Sequence, residues 1–82
     1  MAARTILIVD DDNDLRQTLV EQLALYEEFR IIDADTATKG VQAARAGIVD
    51  LMIMDVGLPD MDGREAVKIL RKCGFKSPII ML

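Results

Sequence analysis

Aspartates carry the chemistry that this sequence can perform. Asp10-Asp11-Asp12 closes the apolar run Ile6-Leu7-Ile8-Val9, and Asp55 closes a second run, Leu51-Met52-Ile53-Met54. Asp55 leads into Val56-Gly57-Leu58-Pro59, a loop punctuated by glycine and proline. Short, β-branched apolar runs bounded by polar residues read as strands buried on both faces. Parallel neighbours in a sheet lie ~4.8 Å apart. Asp10, Asp11 and Asp55 are therefore expected to crowd one carboxyl end of a sheet, where open α/β folds bind ligands. Carboxylates packed this closely repel one another unless a cation sits among them. Hard oxygen donors select Mg²⁺, with Mn²⁺ as the second choice. A carboxylate beside such an ion is also a nucleophile toward phosphorus, giving an acyl phosphate. Asp55, at the end of a buried strand, is the candidate nucleophile. Asp10 and Asp11 would hold the metal from the facing strand, and the loop backbone offers N–H donors and one carbonyl ligand.

The elements that must position these groups alternate strand and helix with short connections, the mark of a parallel sheet built from right-handed βαβ units. Strands are expected at 5–9, 29–34, 51–54 and 78–82. A first helix over 14–25 places Leu15, Leu19, Leu23 and Tyr26 on one face, with Asp12 or Asn13 as its N-cap. A second opens at Thr36 or Thr38, turns Val41, Ala44 and Ile48 inward and closes at Gly47. A third runs over 64–73, burying Val67 and Leu70, with Gly74 as a left-handed cap and Phe75 folding back. The second strand mixes Arg30 and Asp33 with Phe29, Ile31 and Ile32, as an edge strand does. Asp14 suits a helix N-terminus, and Asp60 and Asp62 read as turn residues before the third helix. The methionines of the third and fourth strands read as core packing.

Composition narrows the functional classes. With 82 residues, 51% apolar and 29% charged, the chain reads as one small globular domain. A net charge of −4 with scattered Lys and Arg provides no basic stripe for nucleic acid. No apolar stretch approaches the ~20 residues of a membrane span, and Met1-Ala2-Ala3-Arg4 reads as leading straight into a strand, without the apolar core and cleavage site of a signal peptide. A lone Cys73 forbids an internal disulfide and fits a reducing compartment, so the cytoplasm is the expected location. The absence of histidine excludes His-based catalysis and His–metal ligation within the chain.

The set Ile6-Leu7-Ile8-Val9-Asp10-Asp11-Asp12, Asp50-Leu51-Met52-Ile53-Met54-Asp55, Leu58-Pro59-Asp60-Met61-Asp62-Gly63 and Ser77-Pro78-Ile79-Ile80-Met81-Leu82 resembles the receiver domain of two-component response regulators. The likeness spans essentially the whole chain. It implies a flavodoxin-like, doubly wound parallel α/β sheet of order 2-1-3-4, with the last strand and last two helices absent, so that residues 1–82 form a single incomplete receiver domain. It also implies a cytoplasmic signalling switch rather than an enzyme in its own right. Asp55 would accept a phosphoryl group from a sensor histidine kinase. Asp11 would hold Mg²⁺ directly, Asp10 through water, and the Gly57 backbone carbonyl would complete the protein's ligands.

Receivers more often carry a side chain where this sequence has Gly57, which here is expected to leave hydrolytic water less obstructed. The Ser or Thr after the fourth strand and the Lys ending the fifth, which contact the phosphoryl group in the family, are not among these residues. An open fourth strand predicts recruitment of covering surface, for example as an intertwined homodimer. Control of transcription through a separate DNA-binding output domain is the expected role of the parent.

Three other readings compete. The incomplete domain is inert as an acceptor and serves as a structural or dimerisation module. Alternatively Asp10-Asp11-Asp12 is the D-x-D of a haloacid-dehalogenase-like phosphatase with Asp10 as nucleophile, although Asp14 stands where that family has Thr or Val. A calcium loop over Asp10, Asp12, Asp14 and Glu21 is opposed by Leu15 at the position that requires glycine.

Overall fold

The computed structural model describes residues 3–82. Its elements are β1 (Arg4–Val9), α1 (Asn13–Leu23), β2 (Phe29–Ala34), α2 (Ala37–Ala46), β3 (Leu51–Met54), α3 (Gly63–Lys72) and β4 (Ile79–Met81). All strand pairs are parallel and the sheet order is β2-β1-β3-β4, as the resemblance implied. The connection through α1 steps one way along the sheet, while those through α2 and α3 step the other way. Right-handed crossovers therefore place α1 on one face and the other two helices on the opposite face.

On the two-helix face, Leu7, Val9, Met52 and Met54 pack with Ala37 and Ala44 of α2 and Ala66 and Leu70 of α3. Alternation along β1 turns Ile6 and Ile8 to the α1 face. That face is only partly covered. Within α1 no residue is fully buried, Leu15 is 44% exposed, and on β4 Ile80 is 48% exposed. The sequence expectation that a Leu15–Tyr26 stripe seats α1 in the core is thus only half met, because among the described residues no second helix lies alongside it. Helix α1 also ends at Leu23, short of Leu25.

Each helix start has a side-chain cap. Asp12 accepts the Leu15 N–H, Thr36 the Lys39 N–H and Asp62 the Arg64 N–H. Helix α3 ends in a Schellman motif, with the Phe75 N–H donating to the Leu70 carbonyl at 3.0 Å and the Gly74 N–H to that of Arg71 at 3.2 Å. Gly74 has φ +91°, so a side chain there would be strained. Two details differ from the sequence reading. Gly47 is extended (φ −156°) rather than left-handed, and Ile48, expected inward, is 83% exposed because the helix has already ended before it.

Candidate functional site

Parallel pairing of β1 with β3 sets Val9 beside Met54, so Asp10 and Asp55 emerge next to each other at the carboxyl end of the sheet. The Asp55 N–H continues this pairing for one step by donating to the Val9 carbonyl at 2.9 Å, and the Asp10 N–H extends the β1–β2 pairing by donating to that of Ala34 at 3.1 Å. This is the topological switch point, where β1 has β2 on one side and β3 on the other.

One oxygen each of Asp10, Asp11 and Asp55 lies within 4.8 Å of the others. Asp10 is 2% exposed, and its Oδ1 accepts the Asp12 N–H at 2.9 Å. Asp11 is exposed and Asp55 half-buried, so the cluster is reachable from solvent at both. An Asp55 oxygen accepts the Gly57 N–H at 3.3 Å, which ties the start of the following loop to the carboxylate. A set of carboxylates alone, one of them buried, fits a hard divalent ion of the Mg²⁺ class.

The loop after Asp55 turns back on itself. Gly57 and Asp62 form an antiparallel bridge, and the Gly63 N–H donates to the Val56 carbonyl at 2.8 Å. A Cβ on Gly63 would stand 2.6 Å from the Asp55 carbonyl oxygen and 2.9 Å from Met81 Cε, so only glycine allows α3 to begin this close to the end of β3.

Two charged side chains near this end of the sheet join separate elements. Arg16 of α1 donates to the Asp10 carbonyl at 2.7 Å, to Asp33 at 2.9 Å and to the Asn13 side chain at 2.8 Å. Its side chain is only 15% exposed. Asp60, expected to be a turn residue, reaches across to cap α2: its oxygens accept the Ala37 N–H at 2.9 Å, the Thr38 N–H at 2.8 Å and the Thr38 hydroxyl. Those bonds, the Thr38 hydroxyl foremost, lower the Asp60 pKa from 3.8 to about 2. Sequence position offered no signal for either partner, since Asp60 and Ala37 are 23 residues apart.

Three neighbouring acids lie at helix starts. Asp12 caps α1, Asp14 lies in its exposed first turn, and Asp62 caps α3 while pairing with Arg64 at 3.0 Å. The calcium-loop reading fails on this ground, and also because a strand precedes the acids.

A doubly wound sheet with an acidic cluster at its switch point defines a class of α/β domain that binds ligands at strand ends. Within that class, the family model of the response regulator receiver domain matches residues 6–82, and the chain belongs to that family. It is 30% identical over 77 residues to the cell cycle response regulator CtrA of Brucella ovis, covering 94% of this chain and 33% of the relative. The chain thus spans about a third of the length of the curated relatives it matches. Among solved structures, it resembles the chemotaxis response regulator CheY4 of Vibrio cholerae with a TM-score of 0.91 and 28% identity, over 98% of this chain and 68% of that one. It resembles TrrA of Thermotoga maritima, solved in complex with Mg²⁺-BeF, with a TM-score of 0.86 and 31% identity, over 95% of this chain and 67% of that one. The domain is therefore a signalling module of two-component systems.

Proposed function

We propose that the chain is the phosphoacceptor part of a cytoplasmic response regulator, with Asp55 as nucleophile and a Mg²⁺ site made by Asp10, Asp11, Asp55 and the Gly57 carbonyl. The observation that carries this reading is the convergence of three carboxylates on a 4.8 Å cluster at the end of β1 and β3. Among the described residues no helix is long and apolar enough to cross a membrane.

A carboxylate oxygen of Asp55 attacks the phosphorus of a sensor kinase's phosphohistidine. The P–N bond breaks as the P–O bond forms, and the departing imidazole takes up a proton from solvent. Asp55 suits this role because it is half-buried yet reachable, whereas Asp10 is enclosed. That contrast also disfavours Asp10 as the nucleophile of a phosphatase. Mg²⁺, when bound, neutralises the oxygens of the transferring group. Asp10 and Asp11 would hold it, Asp10 being fixed in turn by the Asp12 N–H. By analogy with longer relatives, the acceptor state governs an output, with transcription through a DNA-binding domain as the first choice.

Intact mass after incubation with acetyl phosphate and Mg²⁺ tests the proposal. One phosphoryl adduct, absent from Asp55→Asn, is expected. An adduct that survives in Asp55→Asn and vanishes in Asp10→Asn would refute the assignment of the nucleophile.

A second reading, a dimerisation module, is favoured by the partly bare α1 face with Ile80 and Leu82 48% and 57% exposed. Light scattering on the purified chain tests it: a dimer supports that reading, and a monomer with dispersed amide resonances contradicts it.

A further inference from the structure

The loop that follows Asp55 is secured at its base by the Gly57–Asp62 bridge and the Gly63–Val56 hydrogen bond. At its tip, Leu58 is 8% exposed and Met61 packs against the core. Apolar burial is non-directional and sets only how deeply the tip sits. Orientation requires hydrogen bonds, whose strength depends on angle. The Asp60 carboxylate supplies them, and every one goes to the first turn of α2 rather than to the loop's own helix: Ala37 N–H, Thr38 N–H and Thr38 hydroxyl. Helix α2 is itself fixed to the acceptor end of the sheet, since Gly40 rests directly on Val9, the residue before Asp10.

We propose that Asp60 is a positioning residue for the phosphoacceptor site, latching the 56–62 loop to α2 so that the Gly57 backbone is held beside Asp55. The inference rests on the assignment of Asp55 and Gly57 made above and adds a residue that never touches the phosphoryl group. The Gly57 N–H already donates to Asp55, and only Leu58 and Pro59 separate Asp60 from the ligand carbonyl. The Thr38 hydroxyl is part of the latch. A helix cap alone would be satisfied by the backbone N–H bonds, and Thr36 separately caps Lys39.

The test compares wild type, Asp60→Ala, Thr38→Val, Thr38→Ser and Asp11→Asn. Two quantities are measured: Mn²⁺ affinity by electron paramagnetic resonance, and amide order parameters of Gly57 and Met61 in the metal-free protein. Removal of groups that orient metal ligands typically weakens affinity about 10–100-fold. For Asp60→Ala, acting one step further out, a loss of about tenfold is expected, with lowered order parameters at Gly57. Thr38→Val should show a smaller loss that Thr38→Ser restores, and it keeps the test in hand if Asp60→Ala does not fold. Unchanged Mn²⁺ affinity and loop order in a folded Asp60→Ala or Thr38→Val, with wild type binding and Asp11→Asn not, would overturn the latch while leaving the acceptor site standing. Wild type that binds no Mn²⁺ would overturn both.

Discussion

Replacing Gly40 by alanine sets two effects of comparable size against each other. Gly40 lies in the second turn of α2, where alanine gains about 1 kcal/mol of helix propensity over glycine. The new Cβ, however, would stand 2.7 Å from Val9 Cγ2 and 3.1 Å from Cγ1. Val9 is 1% exposed, and its β-branched side chain has no alternative rotamer at low cost. Forcing a methyl group into such a contact costs about 1–3 kcal/mol, so Gly40→Ala should be neutral to destabilising by up to about 2 kcal/mol. Val9→Ala alone deletes both Cγ methyls and leaves a cavity, at about 2–3 kcal/mol. In that background the clashing atoms are gone, and Gly40→Ala should become stabilising by about 1 kcal/mol. The double-mutant cycle should therefore give a coupling of about 1–3 kcal/mol. Urea unfolding of the four proteins, followed by far-UV circular dichroism, measures it. Equal effects of Gly40→Ala in both backgrounds would refute the packing argument, and with it the claim that α2 bears directly on the strand that ends in Asp10.

Three further outcomes are expected. Arg16→Lys keeps the charge but cannot serve three acceptors in a fixed fork; leaving the Asp10 carbonyl without its donor should weaken Mn²⁺ binding about tenfold, with wild-type affinity as the contrary result. Asp60 titrates lower in the folded chain (about 2) than its ordinary 3.8, so its stabilising contribution is complete above 3.8 and is lost as pH falls toward 2. Unfolding midpoints measured across that acid range should fall less steeply in Asp60→Asn, and parallel slopes would contradict this. Gly57→Asn meets open space at its Cβ and should fold normally, while its side chain obstructs water and lengthens the lifetime of the Asp55 phosphate. An unchanged dephosphorylation rate would remove Gly57 from that role.

Much of this molecule is written in local pattern. Runs of β-branched residues at 6–9 and 51–54, capping residues at Asp12, Thr36 and Asp62, and Gly74 before Phe75 specify strands, helix starts and a helix stop over a few residues each. Because the strands run parallel, their carboxyl ends lie together, and that order of elements already sends Asp10, Asp11 and Asp55 to one sheet end. What local pattern does not specify is which surface finds a partner. Ile48 has the composition of a core residue but falls beyond the end of α2, and Leu15 has helical spacing but little facing it, so both are exposed. Arg16 and Asp60 show the reverse: each has the composition of a solvated charge, yet each finds partners in other elements. Periodicity reports a residue's face on its own element. Hydrogen-bond partners 17 or 23 residues away depend on how elements dock, and only the tertiary structure decides that.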